Sequence, residues 1–174
     1  MADGAPISQM LVPQVRGALA DPGAVEGRPS RVLLRVDADQ SGDAPVVRAD
    51  VAAVAEALRG GAEAVSVPGI GTLTCTRPTP ERALEGQVAV VTGGAGGLGF
   101  SVAQALAAEG AALALFDIAD GPVGEAADAV GGIGVACDVT DAAAVDAAMA
   151  QVVARYGGVD ILISNAGSAH QGAL

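Results

Sequence analysis

Five glycines fall within residues 93–99, directly between an apolar run and a segment with helical spacing. The run at residues 87–92 (QVAVVT) is typical of a strand that a parallel sheet buries on both faces. Glycine lets the chain turn tightly and approach a bound group closely, and the following helix offers N–H groups at its N-terminus. The segment therefore predicts a strand–turn–helix unit whose turn binds phosphate. A plain connecting turn is the alternative, because glycine also marks ordinary turns.

Strand and helix patterns alternate from residue 87 onward. Predicted strands are residues 87–92, 112–116, 133–137 and 159–164, and predicted helices are residues 98–109, 124–130 and 141–156, the last capped by Thr140. This alternation favours an α/β fold with a doubly wound parallel sheet, Rossmann-like but incomplete, in the order 3-2-1-4. The fourth strand then has an open apolar edge. We expect the chain to self-associate through that edge, or to be unstable, unless residues 31–67 or a partner covers it.

The first 86 residues carry weaker patterns. Four prolines punctuate residues 1–30, which predicts loop or disorder apart from a short helical turn near residues 14–19. The apolar spacing of residues 31–73 predicts a small β-α-β unit of unknown role, with strands at 31–36 and 64–67 and a helix at 50–59. Two prolines and four charges indicate that residues 74–86 form a linker. The phosphate-binding half-domain is then residues 87–174.

Composition excludes several classes of function. Nine arginines and no lysine stand against 20 acidic residues, and the resulting net charge of −11 repels nucleic acids and anionic membranes. Walker-type phosphate loops and Schiff-base enzymes need a lysine. One histidine with Cys75 and Cys137 does not make a zinc cluster, so no metal site is predicted and both thiols are expected to be buried and free. Without a leader pattern or a membrane-length apolar run, the sequence predicts a cytoplasmic protein.

Asp117 ends the second predicted strand, 18 positions after Gly99. A carboxylate at this point accepts hydrogen bonds from the ribose of an adenosine nucleotide. It also repels a 2′-phosphate, and no basic residue lies near it in the sequence to offset that repulsion. Asp117 and the glycine turn together predict binding of NAD in preference to NADP. An exposed aspartate at a strand end is the alternative.

The stretch from residue 84 to residue 174 resembles the N-terminal half of a short-chain dehydrogenase/reductase. Four segments carry the resemblance in the family's order: the glycine turn after Thr92, then Asp117, then Asp138-Val139, then Asn165-Ala166-Gly167, with Ser164 where a second Asn is commonest. The resemblance implies an NAD(H)-dependent oxidoreductase of an alcohol or carbonyl substrate. It assigns the pyrophosphate to Gly93, Gly97, Leu98 and Gly99, the adenosine ribose to Asp117, the adenine to Asp138 and Val139, and the second ribose to Asn165, Ala166 and Gly167.

The chain departs from the family in its catalytic residues. Members use a Ser and a Tyr-xxx-Lys pair downstream of the Asn-Ala-Gly element, where the ammonium lowers the pKa of the tyrosine. These 174 residues contain no lysine, and their one tyrosine, Tyr156, precedes Gly-Gly-Val-Asp at a predicted helix end. Tyr156 is therefore expected to pack in the core, and His170 in the terminal segment is expected to be solvated. No catalytic residue is assigned.

Three functions remain open at this point. The chain is the cofactor half of an oxidoreductase, a non-catalytic dinucleotide-binding module, or an interaction protein that kept the sheet and lost the ligand. The glycine turn and Asp117 argue against the third. Residues 67–71 (VPGIG) also resemble a short segment near the end of class II aldolase domains, which implies a fragment of a bifunctional aldolase/dehydrogenase. No histidine cluster accompanies that segment, so aldolase activity is not expected.

Overall fold

The computed structural model describes residues 7–25, 28–30, 32–37, 44–77 and 82–167. Its N-terminal part contains α1 (Ile7–Leu19), β1 (Asp21–Val25), β2 (Arg28–Ser30), β3 (Leu33–Asp37), α2 (Val51–Arg59), β4 (Ala64–Val67) and β5 (Gly71–Thr76). Its C-terminal part contains β6 (Val88–Thr92), α3 (Gly97–Ala108), β7 (Ala112–Asp117), α4 (Asp120–Ala129), β8 (Ile133–Ala136), α5 (Ala142–Tyr156) and β9 (Ile161–Ile163). None of the helices within these ranges is long and apolar enough to span a bilayer.

Helix α1 lies where the sequence predicted loop or disorder, so that prediction is wrong for the described residues. The short turn expected at residues 14–19 is only the last part of the helix. Pro13 lies inside α1, where it costs about 3 kcal/mol. Leu11, Val12 and Val15 are buried against α2 and its sheet, and burial contributes about 1.5–3 kcal/mol for each side chain. The burial of three side chains therefore outweighs the proline. Strands β1 and β2, also predicted as loop, pair in an antiparallel hairpin.

Strands β3, β5 and β4 form an antiparallel sheet in that order. The structure contains the predicted strand, helix and strand as β3, α2 and β4, but β5 lies between the two strands and was missed. Part of β5 falls in the predicted linker, and that prediction is wrong up to Thr76. Leu73 and Cys75 alternate with threonines along β5 and point into the core that α1 and α2 cover. Residues 67–71 include the turn that joins β4 to β5.

Strands β8, β7, β6 and β9 form one parallel sheet in that order, which confirms the predicted α/β fold and strand order. Alternate residues of β6 face opposite sides of the sheet. Val88 and Val90 pack in the core that α5 covers, whereas Ala89 and Val91 pack in the core beneath α3 and α4. Covering both faces requires the uninterrupted apolar run. Helix α4 begins at Asp120, earlier than predicted.

Helix α5 begins after Asp141, whose carboxylate accepts a hydrogen bond from Ala143 N (2.9 Å). The prediction of Thr140 as the cap is wrong, because the Thr140 hydroxyl donates to Asp138 Oδ1 (2.7 Å). A carboxylate at this end of the helix also interacts favourably with the helix dipole.

The N-terminal part packs directly on α5. Leu33 of β3 is buried in the same core as Val152 and Tyr156 of α5. Arg155 of α5 donates hydrogen bonds to the carbonyl oxygen of Val36 and to Asp37 Oδ1. Helix α5 therefore contacts β3 of the N-terminal sheet as well as the core of the parallel sheet.

Candidate functional site

The glycine-rich turn lies between β6 and α3 at the carboxyl edge of the parallel sheet. Gly93 and Gly97 have left-handed φ values of 66° and 56°, which residues with a side chain rarely adopt. Gly99 is restricted by space instead, since a Cβ there would lie 2.1 Å from Gly93 O and 2.6 Å from Asn165 Nδ2. The shape of the turn therefore requires glycine at these positions.

The N-terminus of α3 has no side-chain cap. Gly96 occupies the cap position, and the first turn contains no acidic residue. Helices α2 and α5 begin differently, because Asp50 and Asp141 cap them with carboxylates. The first-turn N–H groups of α3 therefore have no side-chain acceptor, and the helix dipole adds a partial positive charge. Such an end attracts an anion. Leu98, in this first turn, is 72 % exposed.

Asp117 ends β7 beside the same turn. Its Oδ2 accepts a hydrogen bond from Ala95 N (3.0 Å), and its Oδ1 accepts a longer one from Ala119 N (3.4 Å). A carboxylate has about four lone-pair sites, so it retains acceptor capacity for further donors such as ribose hydroxyls. The structure thus brings Asp117 to the glycine turn, as its spacing in the sequence predicts.

Asn165 follows β9 and fastens it to the glycine turn. Its Nδ2 donates to Thr92 O (3.0 Å) and Gly93 O (3.3 Å). Thr92 Oγ1 accepts hydrogen bonds from the backbone N–H groups of Asn165 and Ala166, both at 3.0 Å. The Asn165 side chain therefore supports the turn, whereas Gly167 is exposed at the end of the described chain.

The role of Thr92 was missed among the predicted site residues. Its hydroxyl connects the ends of β6 and β9, because it also donates to Ile163 O (3.4 Å). The available signal was a hydroxyl side chain at the last position of a strand, directly before the glycines. A partner from β9 becomes apparent only once the two strands are paired.

Asp138 and Val139 follow β8 at the same edge of the sheet. Asp138 Oδ1 accepts hydrogen bonds from Thr140 Oγ1 (2.7 Å) and Thr140 N (2.9 Å), which lower the pKa of the Asp138 carboxyl. Val139 is 43 % exposed and lines an apolar cavity of about 210 Å³ together with Thr92 and Phe116. The segment therefore presents an ionised aspartate and an apolar side chain at the edge of the site.

Comparison with known families identifies the parallel half of the chain. The family model of the short chain dehydrogenase matches residues 87–174, half of the chain. The chain belongs to the short chain dehydrogenase family. The matched residues contain all four segments on which the resemblance rested, and the resemblance is confirmed.

Relatives within the short chain dehydrogenase family match over the same half. D-threitol dehydrogenase of Mycolicibacterium smegmatis is 46% identical over 91 residues, which are 49% of this chain and 35% of that protein. Galactitol 2-dehydrogenase of Agrobacterium fabrum is 44% identical over 85 residues, 48% of this chain and 33% of that protein. The crystal structure of 3-ketoacyl-(acyl-carrier-protein) reductase from Brucella melitensis, complexed with NADH, matches with a TM-score of 0.50 and 36% identity over 51% of this chain and 38% of that one. This chain thus spans about a third of the length of these relatives.

Tyr156 is not placed for the proton transfer that family members perform. It is 1 % exposed at the end of α5, and its hydroxyl donates to Leu113 O (3.3 Å). Burial raises the pKa of Tyr156, and the nearby guanidinium groups of Arg155 and Arg35 offset only part of that effect. The expected packing role is confirmed. His170 lies outside the described residues, so its solvation stays a prediction.

Both cysteines are buried and free, as predicted. Burial raises the pKa of the Cys75 thiol and of the Cys137 thiol, and Asp138 adds to the effect at Cys137. Within the described part of the chain, no group of three His, Cys, Asp or Glu side chains is arranged to hold a metal ion.

Proposed function

We propose that residues 87–174 bind NAD(H) as the cofactor-binding half of an oxidoreductase acting on an alcohol or carbonyl group. The observation that carries the proposal is the uncapped N-terminus of α3 behind a turn packed tightly around Gly99. The hydrogen bond from Ala95 N to Asp117 supports it, because it holds a carboxylate beside the same turn. Phosphate at a helix N-terminus and ribose at a strand-end carboxylate are the contacts that dinucleotides make in such folds.

The proposal gives each group of site residues one task. Gly93, Gly97, Leu98 and Gly99 hold the pyrophosphate, Asp117 accepts hydrogen bonds from the adenosine ribose, Asp138 and Val139 border the adenine, and Asn165, Ala166 and Gly167 lie toward the second ribose. NAD supplies a hydride acceptor when it is bound. The residues of this chain bind the cofactor and orient it.

The preference for NAD over NADP rests on charge. The carboxylate of Asp117 repels a 2′-phosphate. Arg155, the one basic residue among residues 85–174, is ion-paired with Asp37 at the other end of α5 (2.6 Å). Within the described residues of this half, no arginine side chain is therefore placed to compensate for the repulsion.

The substrate class follows from the relatives. The names of D-threitol dehydrogenase and galactitol 2-dehydrogenase describe enzymes that oxidise polyols, so an alcohol is the class proposed for this chain.

Catalytic residues would come from outside these 174 residues. The second candidate is a non-catalytic dinucleotide-binding module, for which NADH binding without turnover would be the evidence. The aldolase resemblance of residues 67–71 and the cytoplasmic location stay predictions.

The Asp117→Asn variant tests the cofactor assignment. For the wild-type chain, we expect NADPH to bind roughly 100-fold more weakly than NADH, because a like-charge contact costs several kcal/mol. In the variant, NADH should bind about 10-fold more weakly, since a hydrogen bond to a carboxylate contributes about 1–1.5 kcal/mol more than one to the neutral amide that replaces it. The preference for NADH over NADPH should shrink at the same time. Fluorescence titration with each cofactor measures both quantities.

Asp128→Asn is the matched control, because Asp128 is an exposed acid on α4 and the change removes the same charge. It should leave both affinities unchanged. The proposal fails if the wild-type chain does not bind NADH at millimolar cofactor. The assignment to Asp117 alone fails if NADH binds and the two variants behave alike.

We also propose that the chain self-associates through β9. Among the described strands, β9 pairs only with β6, and Leu162 on it is 59 % exposed. Such an edge pairs with other edges, and a charge on it opposes pairing. Sedimentation velocity should therefore detect oligomers that Leu162→Lys reduces and that Val46→Lys, a change at an exposed valine of the N-terminal part, leaves intact. A monodisperse wild-type monomer that melts cooperatively would contradict this proposal.

A further inference from the structure

Arg16 of α1 reaches across to the parallel sheet at the end opposite the glycine turn. Its Nη2 donates to Asp160 Oδ2 (2.5 Å) and to Gly86 O (3.0 Å), while its Nε donates to Val32 O (3.1 Å). The side chains of Arg16 and Asp160 are only 12 % and 7 % exposed. The ion pair is therefore largely shielded from water, unlike an ordinary surface pair.

Asp160 joins the beginnings of β6 and β9. Its Oδ2 also accepts a hydrogen bond from Val88 N (2.8 Å), and its own backbone N–H donates to Val88 O (2.9 Å). These contacts set the register in which Ala89 lies opposite Ile161 and Val91 opposite Ile163. One carboxylate thus receives the arginine of the N-terminal part and fixes the pairing of β9.

Strand β9 is short, and its far end carries Asn165 to the glycine turn. The strand covers three residues and, within the described residues, pairs on one side only. Because β9 is so short, Asp160 at its beginning lies only a few residues from the hydrogen bonds that Asn165 and Ala166 donate to Thr92 Oγ1. A displacement at the beginning of β9 is therefore expected to shift Asn165 at its other end.

We propose that Arg16 is a positioning residue for the dinucleotide site, acting through Asp160 and β9 on the placement of Asn165. Without the guanidinium, the buried Asp160 carboxylate loses the ion pair with Arg16 and turns toward water. That movement releases Val88 N and loosens β9 against β6. In this way the N-terminal part stabilises the cofactor site, although it contacts the parallel sheet at the opposite end of the strands. The effect on affinity rests on the proposed binding of NAD(H), whereas the effect on Asn165 does not.

The test compares Arg16→Gln with Arg48→Gln in the full chain. Arg48 is the matched control, since its ion pair with Asp50 lies within the N-terminal part and its side chain is 86 % exposed. Hydrogen exchange by NMR follows the amides of Asn165 and Ala166, with β7 amides as the reference for global unfolding. Arg16→Gln should speed exchange at Asn165 and Ala166 about 10-fold relative to β7 and weaken NADH binding by a similar factor, typical of coupling between sites. Arg48→Gln should change neither quantity.

Equal acceleration at Asn165 and in β7 would overturn the proposal, because Arg16 would then only stabilise the fold. If the wild-type chain does not bind NADH, the proposed function fails, and the exchange data still decide the role of Arg16. If Arg16→Gln does not fold, Asp160→Asn decides. It keeps an oxygen for Val88 N but removes the charge that pairs with Arg16. A folded Asp160→Asn chain with unchanged exchange at Asn165 would also overturn the proposal.

Discussion

Replacing Gly99 with alanine is expected to weaken NADH binding at least about 100-fold, a loss of about 2.7 kcal/mol. A Cβ at this position would lie 2.1 Å from Gly93 O and 2.6 Å from Asn165 Nδ2, far inside van der Waals contact. Neither group yields cheaply, because one is backbone and the other supports the turn through Thr92 O and Gly93 O. The turn must open, and the N–H groups of α3 then no longer converge on one phosphate. Isothermal titration with NADH measures the loss.

Gly121→Ala is the control for the Gly99 prediction. Gly121 lies in α4 and has open space where a Cβ would be placed. The substitution should leave the affinity for NADH unchanged and stabilise the helix by up to about 1 kcal/mol. If Gly99→Ala binds NADH within a factor of two of the wild-type chain, the turn does not hold the pyrophosphate.

The parallel half-sheet was predictable because its elements are marked locally. The apolar run that becomes β6, the glycines after it and the helical spacing of α5 are each readable within a few residues. Their order along the chain then determines a right-handed, doubly wound arrangement. Errors were confined to the ends of elements, such as the cap of α5, where Thr140 and Asp141 are both suitable residues.

The N-terminal part was poorly predicted because its elements depend on distant contacts. Helix α1 contains Pro13 and forms around side chains buried against α2 and β3. Strand β5 shows an alternating pattern, but it is held between β3 and β4, and its pairing partners were not apparent from the sequence. Propensity alone favours a turn or linker in both places, and tertiary packing overrides it.

Among the residues of the candidate site, too, those with a local sequence signal were predicted and those that depend on distant contacts were not. Asp117 was predicted from its distance to Gly99, since a strand and a helix of ordinary length bring both to one edge of the sheet. Thr92 was not predicted, because its hydroxyl acts through residues that follow β9. A residue whose partners lie 73 and 74 positions away has no local signature.

Tyr156→Ala is expected to destabilise the chain by about 3–5 kcal/mol, as truncation of a buried aromatic residue does. Tyr156 is 1 % exposed and packs with residues of β6, β7 and α5 in the core that Leu33 shares. Tyr156→Phe keeps the ring and loses the hydrogen bond to Leu113 O, which should cost about 1 kcal/mol. Urea unfolding at neutral pH measures both free energies of unfolding. Because the free energy of unfolding of native proteins is about 5–15 kcal/mol in total, the alanine variant should be only marginally stable.

Measurements at alkaline pH distinguish the contribution of the Tyr156 hydroxyl to stability from that of the aromatic ring. Burial raises the pKa of Tyr156 in the folded chain, so above about pH 10 the unfolded chain releases this proton while the folded chain retains it. Wild-type stability should therefore fall relative to Tyr156→Phe as the pH rises above about 10, which reduces the advantage of the wild type. The Cys75 and Cys137 thiols, whose pKa values burial also raises, contribute equally to both chains and cancel in the difference. A difference between the two chains that stays constant from pH 7 to pH 11 would mean that Tyr156 ionises as easily in the folded chain as in the unfolded one, and that its hydroxyl is not buried against Leu113.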